Sequence, residues 1–259
     1  MIQQLLNNLL YPQLKTILVI AVILLSSIFV FFIILIAKYQ RKYVRIQKDL
    51  TKAEVDRLEK ERQRMASDLH DSLGPLLSAV KLHINSLDTQ IAGDLELIEK
   101  AGQYIDNMMD NIRAVANSLS PKVLARKGLV VALEDLAEGA QETFLIRIRY
   151  EPNEIPKLSE DNELHIYRIV QEIIHNTVKH ARATQLLIKL YPDKQTLVLL
   201  TADDGQGFDT DNQKENGSGL GLRNIESRAG ILNGTVELTS KVNEGTKYIF
   251  EFPLNNLVP

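Results

Sequence analysis

Hydrophobic and polar residues are arranged in three different ways along the chain. Residues 16–37 form an apolar run without a charged side chain. Residues 38–120 contain one proline and few glycines, and their apolar residues recur three and four apart among many charges. From residue 129 onward, short apolar or alternating runs are separated by glycine and polar turns. These patterns predict an apolar helix, then long amphipathic helices, then a domain that combines helices and strands.

The first run, residues 16–37, is predicted to be a single transmembrane helix that anchors the protein in a membrane. As a helix its 22 residues extend about 33 Å, the thickness of a bilayer's hydrocarbon core. A cleaved signal peptide is the alternative, but its apolar region is usually shorter, and no small-x-small cleavage site follows the run. One basic residue precedes the span and five follow it: Lys15, then Lys38, Arg41, Lys42, Arg45 and Lys48. The positive-inside rule therefore predicts an extracytoplasmic segment at residues 1–15 and a cytoplasmic location for the rest.

The predicted outer segment is too short for a ligand-binding domain, since an independent fold needs roughly 40 residues. Residues 38–60 are expected to form a charged helical linker that leads directly into the amphipathic helices. A signal would therefore be sensed within the bilayer or through a membrane partner, and the sequence does not choose between them.

Two heptad stripes follow the linker and predict an antiparallel helical hairpin. A short turn is expected at residues 92–94. One hairpin cannot bury both stripes well, so a homodimeric four-helix bundle is predicted, although heptads alone also fit a helical stalk without chemistry. The two stripes are Leu69, Leu73, Leu76, Val80, His83 and Leu87, and then Leu95, Ile98, Gly102, Ile105, Met109, Ile112, Ala116 and Leu119.

A histidine with a neighbouring carboxylate lies beside the first stripe. His70 lies about 100° around the helix from the centre of the stripe, so its imidazole is predicted to stand at the exposed edge of the bundle. Asp71 follows it and is placed to accept the Nδ1 proton, which fixes the tautomer and leaves Nε2 as a nucleophile.

Glycines after an apolar strand indicate a nucleotide pocket. Residues 196–202 are predicted to form a buried strand that delivers Asp203 to a tight turn, where it can accept a hydrogen bond from an adenine amino group. Glycines without a Cβ let the backbone approach phosphate oxygens, and a helix at residues 222–231 presents its N-terminus to an anion. The polar segment 208–216 is predicted to be a mobile lid. The glycines in question are Gly205, Gly207, Gly217, Gly219 and Gly221.

One face of a predicted helix at residues 162–180 carries polar residues suited to a nucleotide. Glu172, Asn176 and Lys179 lie within about 60° of one another, opposite an apolar face. Magnesium takes few protein ligands and keeps phosphate oxygens and waters, so the amide oxygen of Asn176 is a sufficient anchor, with Glu172 as a second candidate ligand. Lys179 either reaches a phosphate or is a solvated surface lysine.

Composition narrows the classes of function. The net charge of −3 argues against a nucleic-acid-binding surface, and the absence of cysteine excludes disulfides and thiolate metal sites. Strands and helices are segregated as in an α+β layer. The predicted elements are a helix at 129–141, a strand at 144–150, the helix at 162–180, strands at 185–191 and 196–202, the helix at 222–231, and strands at 235–240 and 246–252.

Taken together, these segments resemble the two-component sensor histidine kinases. Residues 64–71, Arg-Met-Ala-Ser-Asp-Leu-His-Asp, are similar to the family's phosphoacceptor motif, and residues 172–181 to its N box. Residues 203–207 and 217–222 are similar to its two glycine boxes, and Gly245-Thr246 to the segment that borders the adenine. The resemblance covers nearly all of the predicted cytoplasmic part.

The resemblance implies a fold and an activity. The expected architecture is the transmembrane helix, the dimeric bundle at residues 61–121 and an α/β sandwich that binds ATP at residues 122–259. His70 would be phosphorylated from ATP and Mg²⁺, and the phosphoryl group would pass to an aspartate of a separate response regulator. A nucleotide-binding scaffold without phosphotransfer, and an ATPase or serine kinase of the same superfamily, are the rival interpretations.

Two matters stay open from the sequence. Whether His70 is phosphorylated by its own or its partner's ATP domain depends on the handedness of the bundle loop. The family's phosphatase step uses a polar side chain four or five residues after the histidine, where this chain has Gly74 and Pro75. Neither offers a side-chain hydrogen bond, so the resemblance implies weak phosphatase activity.

Overall fold

The computed structural model describes residues 2–87, 92–210 and 220–258, with side chains for 15–87, 93–210 and 221–258. The chain divides into two compact units, Met1–Thr51 and Lys52–Pro259. Helix α1 (Ile2–Asn85) begins in the first unit. Within the described residues, it contains the one segment long and apolar enough to cross a membrane. The hydroxyls of Ser26 and Ser27 bond back to helix carbonyls at 2.7 Å and 2.8 Å, so their polar groups are satisfied inside the apolar run.

The second unit opens with a helical hairpin formed by the remainder of α1 and α2 (Ala92–Leu119). Ala66 of α1 and Ile105 and Ala116 of α2 are buried. Lys81 and Asp106 join the two helices through an ion pair of 2.5 Å. The hairpin prediction is confirmed, but the turn predicted at residues 92–94 is wrong, since α2 already begins at Ala92.

The remaining elements form an α+β domain. They are α3 (Lys122–Lys127), α4 (Leu129–Phe144), β1 (Arg147–Pro152), α5 (Glu160–Asn176), a π-helical turn (Thr177–Ala181), β2 (Gln185–Asp193), β3 (Thr196–Asp203), α6 (Leu220–Ile231), β4 (Thr235–Ser240), β5 (Thr246–Pro253) and a 3₁₀ turn (Leu254–Asn256).

The described strands form one five-stranded sheet in the order β1-β2-β3-β5-β4. β1 pairs with β2 in parallel, and the other neighbours are antiparallel. One hydrophobic core joins the sheet to α4, α5 and α6, with Ile166 and Ile169 of α5 and Phe250 and Phe252 of β5 fully buried. The α/β sandwich predicted from the sequence is confirmed.

At two of the boundaries that differ from the sequence prediction, the type of element changes as well. Phe144 was predicted to begin a strand, but it ends α4, where Thr143 donates a hydrogen bond to the carbonyl of Gly139 at 2.7 Å. The helix predicted to reach residue 180 changes from α to π geometry after Asn176. Isolated π turns occur frequently at functional sites, and this one borders the cavity described next.

Candidate functional site

A cavity of about 440 Å³ lies between the end of α5, the π-helical turn, the start of α6 and the ends of β3 and β5. It brings together residues from every nucleotide segment predicted from the sequence except the stretch 211–219. Gly217 and Gly219 lie in that stretch, outside the described residues. The wall is formed by Ile173, Asn176, Thr177, His180, Ala181, Asp203, Gln206, Gly207, Phe208, Gly221, Leu222, Thr246 and Tyr248.

Asp203 stands at the last position of β3 and is the carboxylate of the cavity wall. Its Oδ1 accepts hydrogen bonds from the backbone N–H groups of Gly205 at 3.0 Å and Thr246 at 3.3 Å. Burial raises the pKa of Asp203 above its ordinary value, although these hydrogen bonds oppose the rise. The carboxylate is therefore held in place by the backbone of both neighbouring segments.

The backbone after Asp203 requires glycine at two positions. A Cβ on Gly205 would lie 2.5 Å from the carbonyl oxygen of Ala181, so the turn packs directly on the end of the π helix. Gly207 has a φ of +54°, in the left-handed region that favours glycine, and a Cβ there would also collide with the carbonyl of Lys241. Of these two glycines, Gly207 lines the cavity, whereas Gly205 packs against the π-helical turn.

Two oxygen donors meet at the start of α6. A Cβ added to Gly221 would contact the Glu172 carboxylate and lie 3.5 Å from Oδ1 of Asn176. Among the described residues, no three His, Asp or Glu side chains converge on one point. Asn176 lines the nucleotide cavity, whereas Glu172 does not. Magnesium bound to a nucleotide needs only one or two protein oxygens, so Asn176 fits that ion, with Glu172 beside it.

The π-helical turn places two basic residues next to the cavity. Lys179 is exposed and is not among the residues of the wall, whereas His180 is. The carbonyl of His180 accepts a hydrogen bond of 2.7 Å from the Gln206 side chain, and Gln206 N–H donates to Ala181 at 2.7 Å. These two hydrogen bonds connect the π-helical turn to the turn that contains Gly205 and Gly207.

Sequence reasoning missed several residues of the cavity wall, among them Thr177 and Tyr248. Tyr248 comes two residues after Thr246 in β5, so the period of two along a strand was the available signal. Its ring stacks on Phe250 with centroids 5.9 Å apart, which joins the cavity to the core. Thr246 is buried, and its hydroxyl lies 3.1 Å from that of Ser240.

The candidate phosphoacceptor lies on the hairpin. The side chain of His70 is 64% exposed, and its Nδ1 lies 3.1 Å from Oδ1 of Asp71. Asp71 also accepts a hydrogen bond of 3.0 Å from Ser67. The hydrogen bond from His70 and then that from Ser67 lower the pKa of the Asp71 carboxyl. The carboxylate thus holds the Nδ1 proton and leaves Nε2 open to solvent.

Comparison with known families identifies both parts. The family model described as histidine kinase-, DNA gyrase B- and HSP90-like ATPase matches residues 161–256, and the model described as histidine kinase matches residues 61–124. The first contains the cavity and the second contains His70. The chain belongs to the two-component sensor histidine kinase family.

Curated proteins of the same family are similar to this chain. The sensor protein VraS of Staphylococcus saprophyticus is 32% identical over 202 residues, 76% of this chain and 57% of that protein. The sensor histidine kinase ComP of Bacillus subtilis is 33% identical over 205 residues, 76% of this chain and 27% of that protein. The chain thus spans little more than half of the length of VraS and about a quarter of the length of ComP.

Among solved structures, a histidine kinase domain from the Erythrobacter litoralis EL346 blue-light activated histidine kinase covers 77% of this chain and 95% of its own. The TM-score is 0.48 and the identity 16%.

The family match indicates ATP binding by the α+β domain. The apolar helix and these sensor-protein relatives together indicate a membrane protein, with one candidate span within the described residues.

Proposed function

We propose that this chain is a sensor histidine kinase that phosphorylates His70 from Mg-ATP. The observation that carries the proposal is an exposed imidazole, oriented through Nδ1 by Asp71, on a chain that also contains a nucleotide cavity with Asp203 in its wall. The residues of the site are those predicted from the sequence, with Asp203 and Thr246 at the adenine and Asn176, Lys179, Glu172 and the glycines at the phosphates.

In the proposed reaction, Nε2 of His70 attacks the γ-phosphorus in line, the bond to the β,γ-bridging oxygen breaks and ADP leaves. Asp71 holds the Nδ1 proton as the N–P bond forms and then accepts it, so the ring of the phosphohistidine is left neutral. Magnesium, when bound, would neutralise charge on the phosphates, and Asn176 and Glu172 would hold it. The start of α6, with Gly221 and Leu222 in the cavity wall, would present backbone N–H groups to the phosphates.

The helical hairpin supports the proposal of a homodimer. Leu76 and Val80 of α1 and Tyr104 and Met108 of α2 are 59%, 39%, 65% and 47% exposed. At 100° per residue, one helix carries an exposed apolar stripe about 60° wide and the other a stripe about 40° wide. The first consists of Leu58, Met65, Leu76 and Val80, and the second of Leu97, Tyr104, Met108 and Val115. Two parallel apolar stripes left in water on one hairpin are suited to a second hairpin in a four-helix bundle.

The remaining proposals concern topology and partners. The basic cluster from Lys38 to Lys48 supports a cytoplasmic position for residues 38–259, with residues 1–15 outside. We place the dimerisation and phosphotransfer domain at 61–121 and the ATP-binding domain at 122–259. The recipient of the phosphoryl group is an aspartate of a separate response regulator, and a membrane partner or the bilayer itself supplies the signal.

The test is the chemistry of the labelled product. The full chain in lipid nanodiscs is incubated with magnesium and ATP that carries a radioactive γ-phosphate. The proposal predicts a label that is lost in acid and kept in base, as expected for a phosphoramidate, and no label when a chelator removes magnesium. An acid-stable label, typical of phosphoserine or phosphothreonine, would favour the rival serine kinase.

A further inference from the structure

A cluster of buried charges joins the helical hairpin to the ATP-binding domain, at a place that the proposed phosphoryl transfer does not use. Glu59 of α1 accepts hydrogen bonds from Arg168 of α5 at 2.9 Å and from Arg228 of α6 at 2.5 Å. The three side chains are 12%, 2% and 7% exposed, respectively. We refer to Glu59, Arg168 and Arg228 as the interdomain ion cluster.

Burial makes this cluster different from a surface ion pair. Exposed pairs contribute little to stability, but breaking a buried pair by removing one partner is strongly unfavourable because the remaining charge is left without water or counter-charge. Burial alone raises the pKa of Glu59, yet the charges and hydrogen bonds of Arg168 and Arg228 outweigh it and hold the pKa below its ordinary value. Among the described residues, Glu59 is the carboxylate that pairs with both arginines.

Arg168 also forms hydrogen bonds with the other end of the hairpin. Its Nη1 and Nη2 donate hydrogen bonds to the carbonyl oxygens of Ser118 at 2.8 Å and Leu119 at 2.6 Å. The last carbonyls of a helix have no partner within that helix, and here the guanidinium satisfies two of them. One buried side chain therefore ties both α1 and the end of α2 to α5.

The cluster holds the ATP-binding domain at a position away from His70. Glu59 precedes His70 by eleven residues, about 16 Å along a helix. The described wall of the nucleotide cavity contains no residue of the hairpin, and the His70 side chain is largely exposed. In this arrangement the histidine and the cavity of the same chain are not in contact.

The apolar surfaces beside the cluster are not closely packed. A groove of about 770 Å³ separates α1 and α2 from α4 and α5, with Arg62, Ser118 and Leu136 among its lining residues. Close packing normally supplies much of the free energy that holds two domains together. The polar contacts therefore carry more of the attachment here: the ion cluster on α1, and the hydrogen bonds from Arg168 and Gln171 to the end of α2. Of these contacts, Glu59 supplies the one that joins α1 to both α5 and α6.

We propose that the interdomain ion cluster is an autoinhibitory contact, which keeps the ATP-binding domain docked on its own hairpin until a signal releases Glu59. The inference rests on the proposed kinase function. Because the contact lies within one chain, it restrains the ATP-binding domain whether the recipient histidine belongs to that chain or to a partner. Glu59 and the apolar run share helix α1, so a movement of the membrane segment has a covalent route to the cluster.

The test compares Glu59→Gln with Glu61→Gln in the full chain, reconstituted in nanodiscs. Glu61 lies on the same helix and pairs with the exposed Arg64, so it is a matched control outside the cluster. Loss of the Glu59 charge leaves two buried guanidinium groups without a counter-ion, and undocking returns them to water. We expect the autophosphorylation rate of Glu59→Gln to rise about tenfold, with Glu61→Gln unchanged.

A second measurement reports docking without relying on activity. The chain has no cysteine, so spin labels at Arg57→Cys on α1 and Glu226→Cys on α6, both exposed positions, are unique. Labelled chains are diluted with unlabelled chains so that each dimer carries one labelled copy. Wild type should give one narrow distance distribution, and Glu59→Gln a broad one shifted to longer distances.

Glu59→Asp is a second variant, to be used if the glutamine variant misfolds and loses ATP binding. The aspartate keeps the charge but is one methylene shorter, so it reaches one arginine rather than both, and an intermediate rise in rate is expected. An unchanged distance distribution in the glutamine or aspartate variant, or a fall in autophosphorylation with ATP binding intact, overturns the autoinhibitory role. If neither wild type nor Glu59→Gln incorporates phosphate, the kinase function is refuted instead, and the distance measurement still decides the docking.

Discussion

At the scale of single residues, two adjacent carboxylates have different surroundings although the sequence presents them as a pair. Asp203 faces the cavity and is held by the N–H groups of Gly205 and Thr246. Asp204 points to β2, where it accepts hydrogen bonds from the Thr184 N–H at 2.8 Å, the Gln185 N–H at 2.9 Å and the Thr184 hydroxyl at 2.6 Å. These surroundings support our proposal that Asp203 recognises adenine, and they give Asp204 a structural role.

The assignment predicts that Asp203→Asn weakens ATP binding about tenfold to a hundredfold, because an amide presents a donor where adenine also presents one and leaves a buried group unsatisfied. The dissociation constant of a fluorescent ATP analogue measures the change.

Asp204→Asn is the matched control for this variant. It should lower the melting temperature through the lost bonds to Thr184 and Gln185, while the folded protein keeps its ATP affinity. If the two variants lost affinity equally, the separate roles would be refuted.

At the scale of elements, the hairpin uses two neighbouring faces of each helix. In α2, the residues predicted as a stripe from Ile98 to Leu119 are buried or half-buried. In α1, Leu69 and Leu73 are half-buried, but Leu76, Val80 and Leu87 of the same predicted stripe are exposed within one chain. One face therefore closes the hairpin, and the adjacent face is available to a second copy.

The exposed face predicts that Leu76→Lys shifts the protein from dimer to monomer, because a charge placed in the apolar seam must be desolvated. Light scattering coupled to size-exclusion chromatography measures the mass of the detergent-solubilised chain.

Leu82→Lys provides the comparison. Leu82 is 71% exposed and lies about 120° from Leu76 around the helix, off the apolar stripe. Its variant should remain dimeric, and a dimer that survives Leu76→Lys would contradict the proposed bundle.

The strands were predictable because their alternation is local. The prediction for β4 coincides with the structure, and those for β2, β3 and β5 end only one or two residues early. β1 was predicted to begin at Phe144 because residues 144–150 were interpreted as an alternating strand, yet α4 continues to Phe144, with Thr143 bonded to the carbonyl of Gly139. The π-helical turn has no hydrophobic period of its own and was not predicted.

The site was predictable in part. Short motifs with glycine, Asp203 and Asn176 point to a nucleotide, since they are local and each has a chemical reason. The interdomain ion cluster was not predicted. Glu59 meets Arg168 and Arg228 across 109 and 169 positions, and nothing in the neighbourhood of Glu59 distinguishes it from the other charges of the linker.

At the scale of the whole molecule, protonation of His165 makes the contact between the hairpin and the ATP-binding domain depend on pH. Its Nδ1 lies 3.3 Å from Nη1 of Arg228, and burial and then this positive charge lower the pKa of His165 below its ordinary value of 6.5. The carboxylates that face it act in the opposite direction and are weaker: Asp56 and Glu59 of α1 and Asp161 of α5.

The sign of the effect follows from the lowered pKa. His165 stays neutral in the folded protein at a pH where the unfolded chain is already protonated, so stability is full above pH 6.5 and falls as the pH decreases below it. Glu59 has a pKa lowered from 4.5, so its contribution is lost only at more acidic pH. The melting temperature should therefore be lower at about pH 5.5 than at about pH 7.5.

His165→Gln removes the titrating group and should reduce the difference in melting temperature between the two pH values. Carboxylates elsewhere in the chain are unchanged in this variant and supply the background slope. An equal pH dependence in wild type and His165→Gln would rule out His165 as its source.

The central claim is that His70 receives the phosphoryl group, and its most direct measurement is γ-phosphate incorporation into His70→Gln beside His83→Gln. His83 is an exposed histidine on the same helix without an adjacent carboxylate, so it controls for the loss of any histidine. The account predicts no label on His70→Gln with ATP binding intact, and full labelling of His83→Gln. Labelling of His70→Gln at the wild-type level would contradict it.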